Sequence, residues 1–325
     1  MITQVSVLRI SASGLSSATF CDYPEKMAEW ARISKLDRVD YPFFDFNQKP
    51  DEKTILEGLK ETIKRFPKEG GLIIGVPGPT YENSVLFCPQ VPILVGDFVK
   101  QNVRKMRPQD FTVFNNTNLW AEAELHQGAI RGKNKTSLLI SLGRGIGSAL
   151  VIDGKIHLGS HGLAGEIGHI SLDPFDGPTC ECGQKGCLEL YVSGPALMKL
   201  AREKGIKIDE PSGLINMQDA APLVEDARQY LVGVIASVII PYDISDVVLG
   251  GQLAELYGSE SIQKILNEEI PYFLRQVCVY PAEYSAQEGT LVGGGIIGFR
   301  FLNIEPSELK SKERKNKGSA SLKAD

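Results

Sequence analysis

A histidine and three cysteines crowd together in this 325-residue chain: His169, ten residues to Cys180, one more to Cys182 and four to Cys187. Thiolates and imidazoles are the ligands that zinc prefers, and four of them close a tetrahedron with no open position. The Cys-x-Cys step lets a tight knuckle aim its sulfurs at one point, with Gly183 and Gly186 supplying the turn conformations. A Zn2+ ion held by four protein ligands is structural rather than catalytic. The alternative is a loop of reduced thiols without metal; three cysteines and a histidine at metal spacing favour the ligand set.

Four ligands converge only on a rigid scaffold, and the chain reads as alternating strands and helices. Residues 4–10 form an apolar strand, with a neighbouring strand expected at 31–41. Asp51 opens a helix along which Ile55, Leu59, Ile63 and Phe66 recur at helical spacing, and Gly70-Gly71 ends it. Residues 72–76 are continuously apolar, as in a strand buried on both faces, and meet the turn Pro77-Gly78-Pro79. A strand at 111–114 runs into Asn115-Asn116-Thr117-Asn118, with a helix expected from Trp120.

The second half repeats the plan. A strand at 137–142 ends in Gly143-Arg144-Gly145-Ile146-Gly147, and Asp153-Gly154 marks a hairpin between 148–152 and 155–158. A long helix is expected over 218–240, stopped by Pro241; a strand at 246–249 leads into Gly250-Gly251, and Gly293-Gly294-Gly295 follows near the end. Ligand sites in such α/β folds lie beyond the carboxyl ends of the strands, where these polar and glycine clusters fall. The expected organisation is a small α/β domain over residues 1–118, a large one over 119–304, and a cleft between them.

Bulk properties narrow the partners. With 35 basic and 40 acidic residues the net charge is −5, which argues against nucleic acid. The 42 % apolar and 23 % charged content is that of an ordinary soluble globular protein. Basic residues segregate only over residues 310–323, where Lys310, Lys312, Arg314, Lys315, Lys317 and Lys323 accompany the single acid Glu313. That stretch has too little apolar surface to offset ordering entropy, so residues 305–325 are expected to be a solvated, disordered tail and the fold to end near Ile304. No apolar run approaches the ~18 residues of a membrane span, and no leader-like segment opens the chain. Three of the six cysteines fall within eight positions, unlike a disulfide framework, and point to a reducing cytoplasm.

Gly165-Glu166-Ile167-Gly168-His169, followed by the ten residues from Cys180 to Glu189, closely resembles the signature of the ROK family. That family comprises bacterial-type glucokinases, other hexose and N-acetylhexosamine kinases, and related sugar-responsive repressors. The turns at 75–78, 142–147, 248–251 and 292–295 fall where the family has matching turns. The resemblance implies a two-domain actin-like ATPase fold of the ribonuclease H-like, hexokinase type with a zinc-binding loop at 169–189, usually a homodimer joined through the large domain. It also implies that Asn115, Glu166, His169 and Glu189 line a pocket for a hexose or N-acetylhexosamine. Sugar hydroxyls each donate and accept, so amides and carboxylates at fixed angles suit that pocket. The family's repressors carry a helix-turn-helix before the first strand; here the chain begins on that strand, so the repressor reading is not expected.

Three pieces of the family's phosphoryl-transfer machinery are altered. Asn116 stands where the family has its catalytic Asp, and a neutral amide cannot take the proton of the attacking hydroxyl, a contribution of roughly 10²–10⁴-fold. The first phosphate loop, normally Asp-x-Gly-Gly-Thr, reads Arg9-Ile10-Ser11-Ala12-Ser13. The second, normally Leu-Gly-Thr-Gly, reads Leu142-Gly143-Arg144-Gly145. With Gly250 and Gly251 these would form a degenerate nucleotide site, so ATP and Mg2+ are expected to be poorly held. The expected function is therefore a sugar- or sugar-phosphate-binding pseudokinase. The alternatives are an active hexose kinase using water or another carboxylate as base, and a structural subunit that partners an active relative. Arg9 and Arg144 either grip a phosphate or pair with local carboxylates to plug the empty nucleotide site. Phe87 and Gln90 replace asparagines common near the family's pocket.

Overall fold

The structure, a computed structural model, describes residues 4–11, 14–21, 51–107, 110–133, 135–269, 271–272 and 276–302. The strand expected at 31–41, loop residues Ala12 and Ser13, and the tail 305–325 lie outside the described residues. The first half runs β1 (Gln4–Ser11), β2 (Gly14–Cys21), α1 (Glu52–Arg65), β3 (Gly71–Val76), the short β4 (Thr80–Tyr81) and β5 (Ser84–Val85), α2 (Phe98–Met106), β6 (Phe111–Asn115) and α3 (Asn116–Gln127). The second runs β7 (Ser137–Leu142), β8 (Ile146–Ile152), β9 (Lys155–His157), α4 (Glu189–Val192), α5 (Gly194–Glu203), α6 (Ala221–Tyr242), β10 (Asp246–Gly250), α7 (Ala254–Tyr257), α8 (Ser259–Glu269), β11 (Cys278–Pro281) and α9 (Ala286–Leu302). Among the described residues no helix is long and apolar enough to cross a membrane.

Two sheets share one plan. In order β2-β1-β3-β6, the first has β1 antiparallel to β2 and parallel to β3, which is parallel to β6. The second, β11-β10-β7-β8-β9, has β7 antiparallel to β8 and parallel to β10. Period-two alternation explains how each sheet is covered on both sides. Leu8 and Ile10 of β1 pack with Ile55, Leu59 and Val103 of α1 and α2, whereas Val5 and Val7 pack with Leu291 and Ile296 of α9. In the second sheet Leu138 and Ile140 face α6, and Leu139 faces α3.

Helix α3 is buried on every side because both sheets use it. Leu119 and Ala123 belong to the core of the first sheet; Trp120, Ala121 and Leu125 belong to that of the second. Helix α9 lies close along it: a Cβ on Gly293 would collide with the Leu119 carbonyl, and one on Gly289 with the Trp120 ring. Residues 293–295, expected as a turn, are therefore a helical surface stripped of side chains so that two helices and β1 can touch.

Other expectations shift for local reasons. The partner of β1 is β2, a polar-rich strand without the apolar run that marks its neighbours. Helix α3 starts at Asn116 rather than Trp120, because the Asn115 side chain accepts the Thr117 N–H at 2.7 Å and caps the first turn. Helix α6 begins at Ala221 and continues through Pro241 to Tyr242, ending at Asp243 in the left-handed region (φ 50°). Proline removes only its own N–H, and the turn it weakens is solvent-exposed, so one more residue is tolerated.

Glu124, fully buried in α3, binds the halves together. It accepts the Trp120 indole N–H (3.1 Å) and the backbone N–H groups of Ala129 (2.8 Å), Tyr284 (2.9 Å) and Glu283 (3.3 Å). Four donors on two carboxylate oxygens leave no place for an amide nitrogen. Glu124→Gln is expected to lower stability by about 2–4 kcal/mol, read in urea as a lower midpoint with unchanged slope.

Candidate functional site

The carboxyl ends of β1, β3, β6, β7 and β10 converge on one cleft of about 280 Å³. Of the residues singled out in the sequence, Arg9, Ser11, Asn115, Asn116, Glu166, His169 and Glu189 line it, as do Gly143, Arg144, Gly145 and Gly251. Gly250 lies behind the wall, its Cα packed on the Trp120 ring. Ala12 and Ser13 lie outside the described residues.

At one end two carboxylates meet an amide. Asn115, held at the β6–α3 junction by its capping role, donates through Nδ2 to Glu166 Oε1 at 3.3 Å. Glu189 Oε2 accepts the Ile146 N–H at 2.7 Å, which fixes α4 to the start of β8. Enclosure in the cleft, and then the neighbouring Glu189 charge, push the Glu166 carboxyl up to about 7. Glu189 is raised as well, by burial first, with the Ile146 N–H pulling back and the Glu181 charge adding to the rise. Gly145 allows this packing: a Cβ there would stand 2.5 Å from Glu189 Oε2 and 2.7 Å from Gln90 Nε2.

Asn116 sits one residue deeper. Its Nδ2 donates to the Ile10 carbonyl at 2.7 Å, and Thr290 Oγ1 donates to its backbone carbonyl at 3.2 Å. The Ile10 carbonyl dictates the amide's orientation, since flipping it would set oxygen against oxygen. Among the described residues Asn116 Oδ1 has no hydrogen-bond partner and is buried, pressed toward Gly75, where a Cβ would overlap it.

Beside the wall that carries Glu166 and Glu189, one ligand atom from each of His169, Cys180, Cys182 and Cys187 lies within 4.8 Å of the others. Cys180 Sγ is 3.8 Å from His169 Nδ1, and Cys182 Sγ is 3.5 Å from Cys187 Sγ. Metal–sulfur bonds of about 2.3 Å at tetrahedral angles give sulfur–sulfur edges of roughly 3.8 Å, so the spacing fits the four-ligand set. Burial holds the His169 imidazole below its ordinary range, in the neutral form a metal needs. Burial and mutual crowding push the Cys180 and Cys187 thiols up, a cost that a cation among them would remove. The backbone is already shaped for this, with Cys180 N–H bonded to the Gln184 carbonyl and Gly183 N–H to that of Cys180. His169 belongs to both regions, its ring centroid 5.5 Å from that of Phe87 with the two planes at 75°.

With the site assembled, the relatives can be placed. The model of the ROK family matches residues 45–297. The chain belongs to the ROK family. The N-acetyl-D-glucosamine kinase of Vibrio atlanticus (strain LGP32) is 28 % identical over 286 residues, covering 83 % of this chain and 91 % of that protein. The ROK hexokinase of Thermus thermophilus matches with a TM-score of 0.71 at 25 % identity, over 92 % of this chain and 99 % of the other. A ROK family glucokinase from Streptomyces griseus, solved in complex with glucose and AMPPNP, shares the fold at a TM-score of 0.71 and 19 % identity, over 91 % of this chain and 99 % of the other. The fold is thus the α/β, actin-like ATPase type of ROK hexokinases, and its His/Cys cluster could hold a metal ion.

The sequence reading gave no role to several lining residues, among them Thr117, Ser141, Gln252 and Thr290. Gln252 had a signal, since it follows the Gly250-Gly251 turn. Thr290 had none, because it reaches the cleft from a helix more than 170 residues along the chain, bonding Asn116 across a sequence separation of 174.

If the four residues bind zinc, the purified chain carries one zinc equivalent, and its removal by a chelator exposes three additional thiols to titration and lowers the melting temperature. A Cys187→Ser chain is expected to lose the metal and the chelator sensitivity together. Equal thiol reactivity before and after chelation would rule the ligand set out.

Proposed function

We propose that the protein binds a hexose or N-acetylhexosamine at Asn115, Glu166, His169 and Glu189 and has lost ATP-dependent phosphorylation of it. Its relatives in the ROK family supply the substrate class. Glu189, two residues from Cys187, and Glu166, three from His169, would be held by a structural zinc, which gives fixed acceptor angles for sugar hydroxyls. A homodimer is the assembly we adopt from the family resemblance.

The observation that carries the loss is the setting of Asn116. The side chain at this position faces a backbone carbonyl 2.7 Å away, that of Ile10, and an amide satisfies it by donating. A carboxylate in the same place would meet the carbonyl lone pairs with its own. The local structure is thus built around a donor, whereas a general base must be an acceptor. The two arginines on the phosphate-side loops compound this, since a Mg2+ ion would approach two positive charges.

One observation favours a second reading, a working kinase. Glu166, at about 7, is poised where a general base operates best, and it lies 3.3 Å from Asn115.

Sugar-dependent ADP release decides between them. The zinc-replete chain with Mg-ATP and a panel of glucose, mannose, fructose, allose and N-acetylhexosamines is expected to release no ADP above the sugar-free rate. At least one sugar should raise the melting temperature, and Glu189→Gln should remove that rise. Asn116→Asp alone is expected to stay silent, because both phosphate loops remain altered. Turnover by the unaltered chain would establish the kinase reading instead; turnover only by Asn116→Asp would confine the whole lesion to that position.

A further inference from the structure

We infer that Phe87 determines which sugar the cleft accepts, by packing its ring against a C–H face of the pyranose; this rests on the sugar-binding reading above and narrows it to the gluco configuration. Three of the described lining residues carry aromatic rings: Phe87, Trp120 and His169. Trp120 is 1 % exposed and gives its indole N–H to Glu124, so its ring serves the core. His169 belongs to the metal-type cluster. Phe87 is half-buried and is the ring left to meet a ligand.

The backbone fixes where that ring stands. The chain leaves β3 through Pro77-Gly78-Pro79, whose two prolines restrict φ. The returning segment is fastened on either side of Phe87. Leu86 N–H donates to the Pro79 carbonyl at 2.9 Å, and the buried Cys88 donates through Sγ to the Pro77 carbonyl at 3.4 Å. Between those bonds Gly78 lies against Phe87 itself, since a Cβ at 78 would stand 2.0 Å from the Phe87 carbonyl oxygen. Position 87 is thus locked to the turn that follows β3.

The ring lies beside the groups assigned to the sugar. Its centroid is 5.5 Å from that of His169. His169 N–H bonds to the Glu166 carbonyl at 3.2 Å, and Glu166 Oε1 accepts the Asn115 amide at 3.3 Å. Pro77, Pro79 and Pro89 of the same segment also line the cleft and, like Phe87, offer no side-chain hydrogen bond. Hydrogen-bonding groups and hydrocarbon therefore adjoin in one cleft. A pyranose is built the same way, with hydroxyls around its edge and C–H groups on its faces.

This chemistry selects among epimers. Oxygens on the sugar carbons leave the axial C–H groups positive, and the face of an aromatic ring is negative. In the β anomer of glucose every hydroxyl is equatorial, so both faces are C–H. Mannose turns one hydroxyl axial on one face, and allose turns one axial on the other. A hydroxyl pressed on Phe87 would lose water without gaining a hydrogen bond. Whichever face packs on the ring, one of these two epimers is disfavoured.

Isothermal titration of the full, zinc-replete chain with glucose, mannose, allose and the three corresponding N-acetylhexosamines tests this. In whichever series binds, the gluco sugar is expected to bind about tenfold tighter than the weaker of its two epimers. Phe87→Asn, which offers an axial hydroxyl a partner, should weaken the gluco sugar about fivefold and tighten the weaker epimer. Phe87→Tyr should keep the original order. A gain for one sugar cannot come from a damaged fold. On the unaltered chain, axial sugar protons should show nuclear Overhauser contact with phenylalanine ring protons, lost when the chain is grown on ring-deuterated phenylalanine. That measurement decides the matter if Phe87→Asn does not melt cooperatively. Equal or reversed binding of the epimers, an unchanged order in Phe87→Asn, or a bound sugar without contact to a phenylalanine ring would overturn the inference and leave the sugar-binding reading standing. Silence from every sugar would sink both.

Discussion

The structure depends on the burial of α3 between two sheets. A helix with one covered face can drift on its neighbour; a helix packed by both sheets has no free surface along which to move. Leu119 and Ala123 commit it to the first sheet, Trp120 and Leu125 to the second, and α9 closes the remaining side through contacts that only glycine permits at 289 and 293. The two residues at its start, Asn115 and Asn116, inherit that immobility. Whatever binds in the cleft meets two amides positioned by the cores of both halves.

Burial on all sides has a cost in polar groups, and Glu124 is where the structure meets it. A charged carboxylate at 0 % exposure is tolerable only if its lone pairs are satisfied. Here they accept four N–H groups, two of which belong to Glu283 and Tyr284 just before α9. The carboxylate satisfies donors that the turn between β11 and α9 would otherwise bury unpaired. Helix α9 is thereby tied to the helix that carries the site, and it packs in turn on Val5 and Val7 of β1.

Much of this was legible from residue patterns, and the rest was hidden for identifiable reasons. The four metal-type ligands needed only a spacing, because they lie within one loop. Strands such as β3 and β7 announced themselves by apolar runs bounded by glycine. The β2 strand did not, since a hairpin partner that holds Ser16, Ser17 and Thr19 lacks such a run. The start of α3 was obscured because Asn115 and Asn116 look like loop residues, whereas one caps the helix and the other opens it. Gly293-Gly294-Gly295 reads locally as a turn; only the nearness of Leu119, Val7 and Phe20 makes glycine a packing residue there. Local motifs were readable, and features defined by contacts across the chain were not.

Asn116 and the end of β1 are not independent of each other. The Asn116 amide donates to the carbonyl of Ile10, which belongs to the end of β1. A change at position 116 and a change at the end of β1 thus act on one shared hydrogen bond. With a donor at 116, the end of β1 is pinned between Arg9 and Ser11, and Ser11 ties the same segment to β2 by donating to the Gly14 carbonyl at 3.0 Å. With the donor in place, the end of β1 is part of the cleft wall, which Arg9 and Ser11 line. Asn116 and the end of β1 hold each other in place through that single carbonyl.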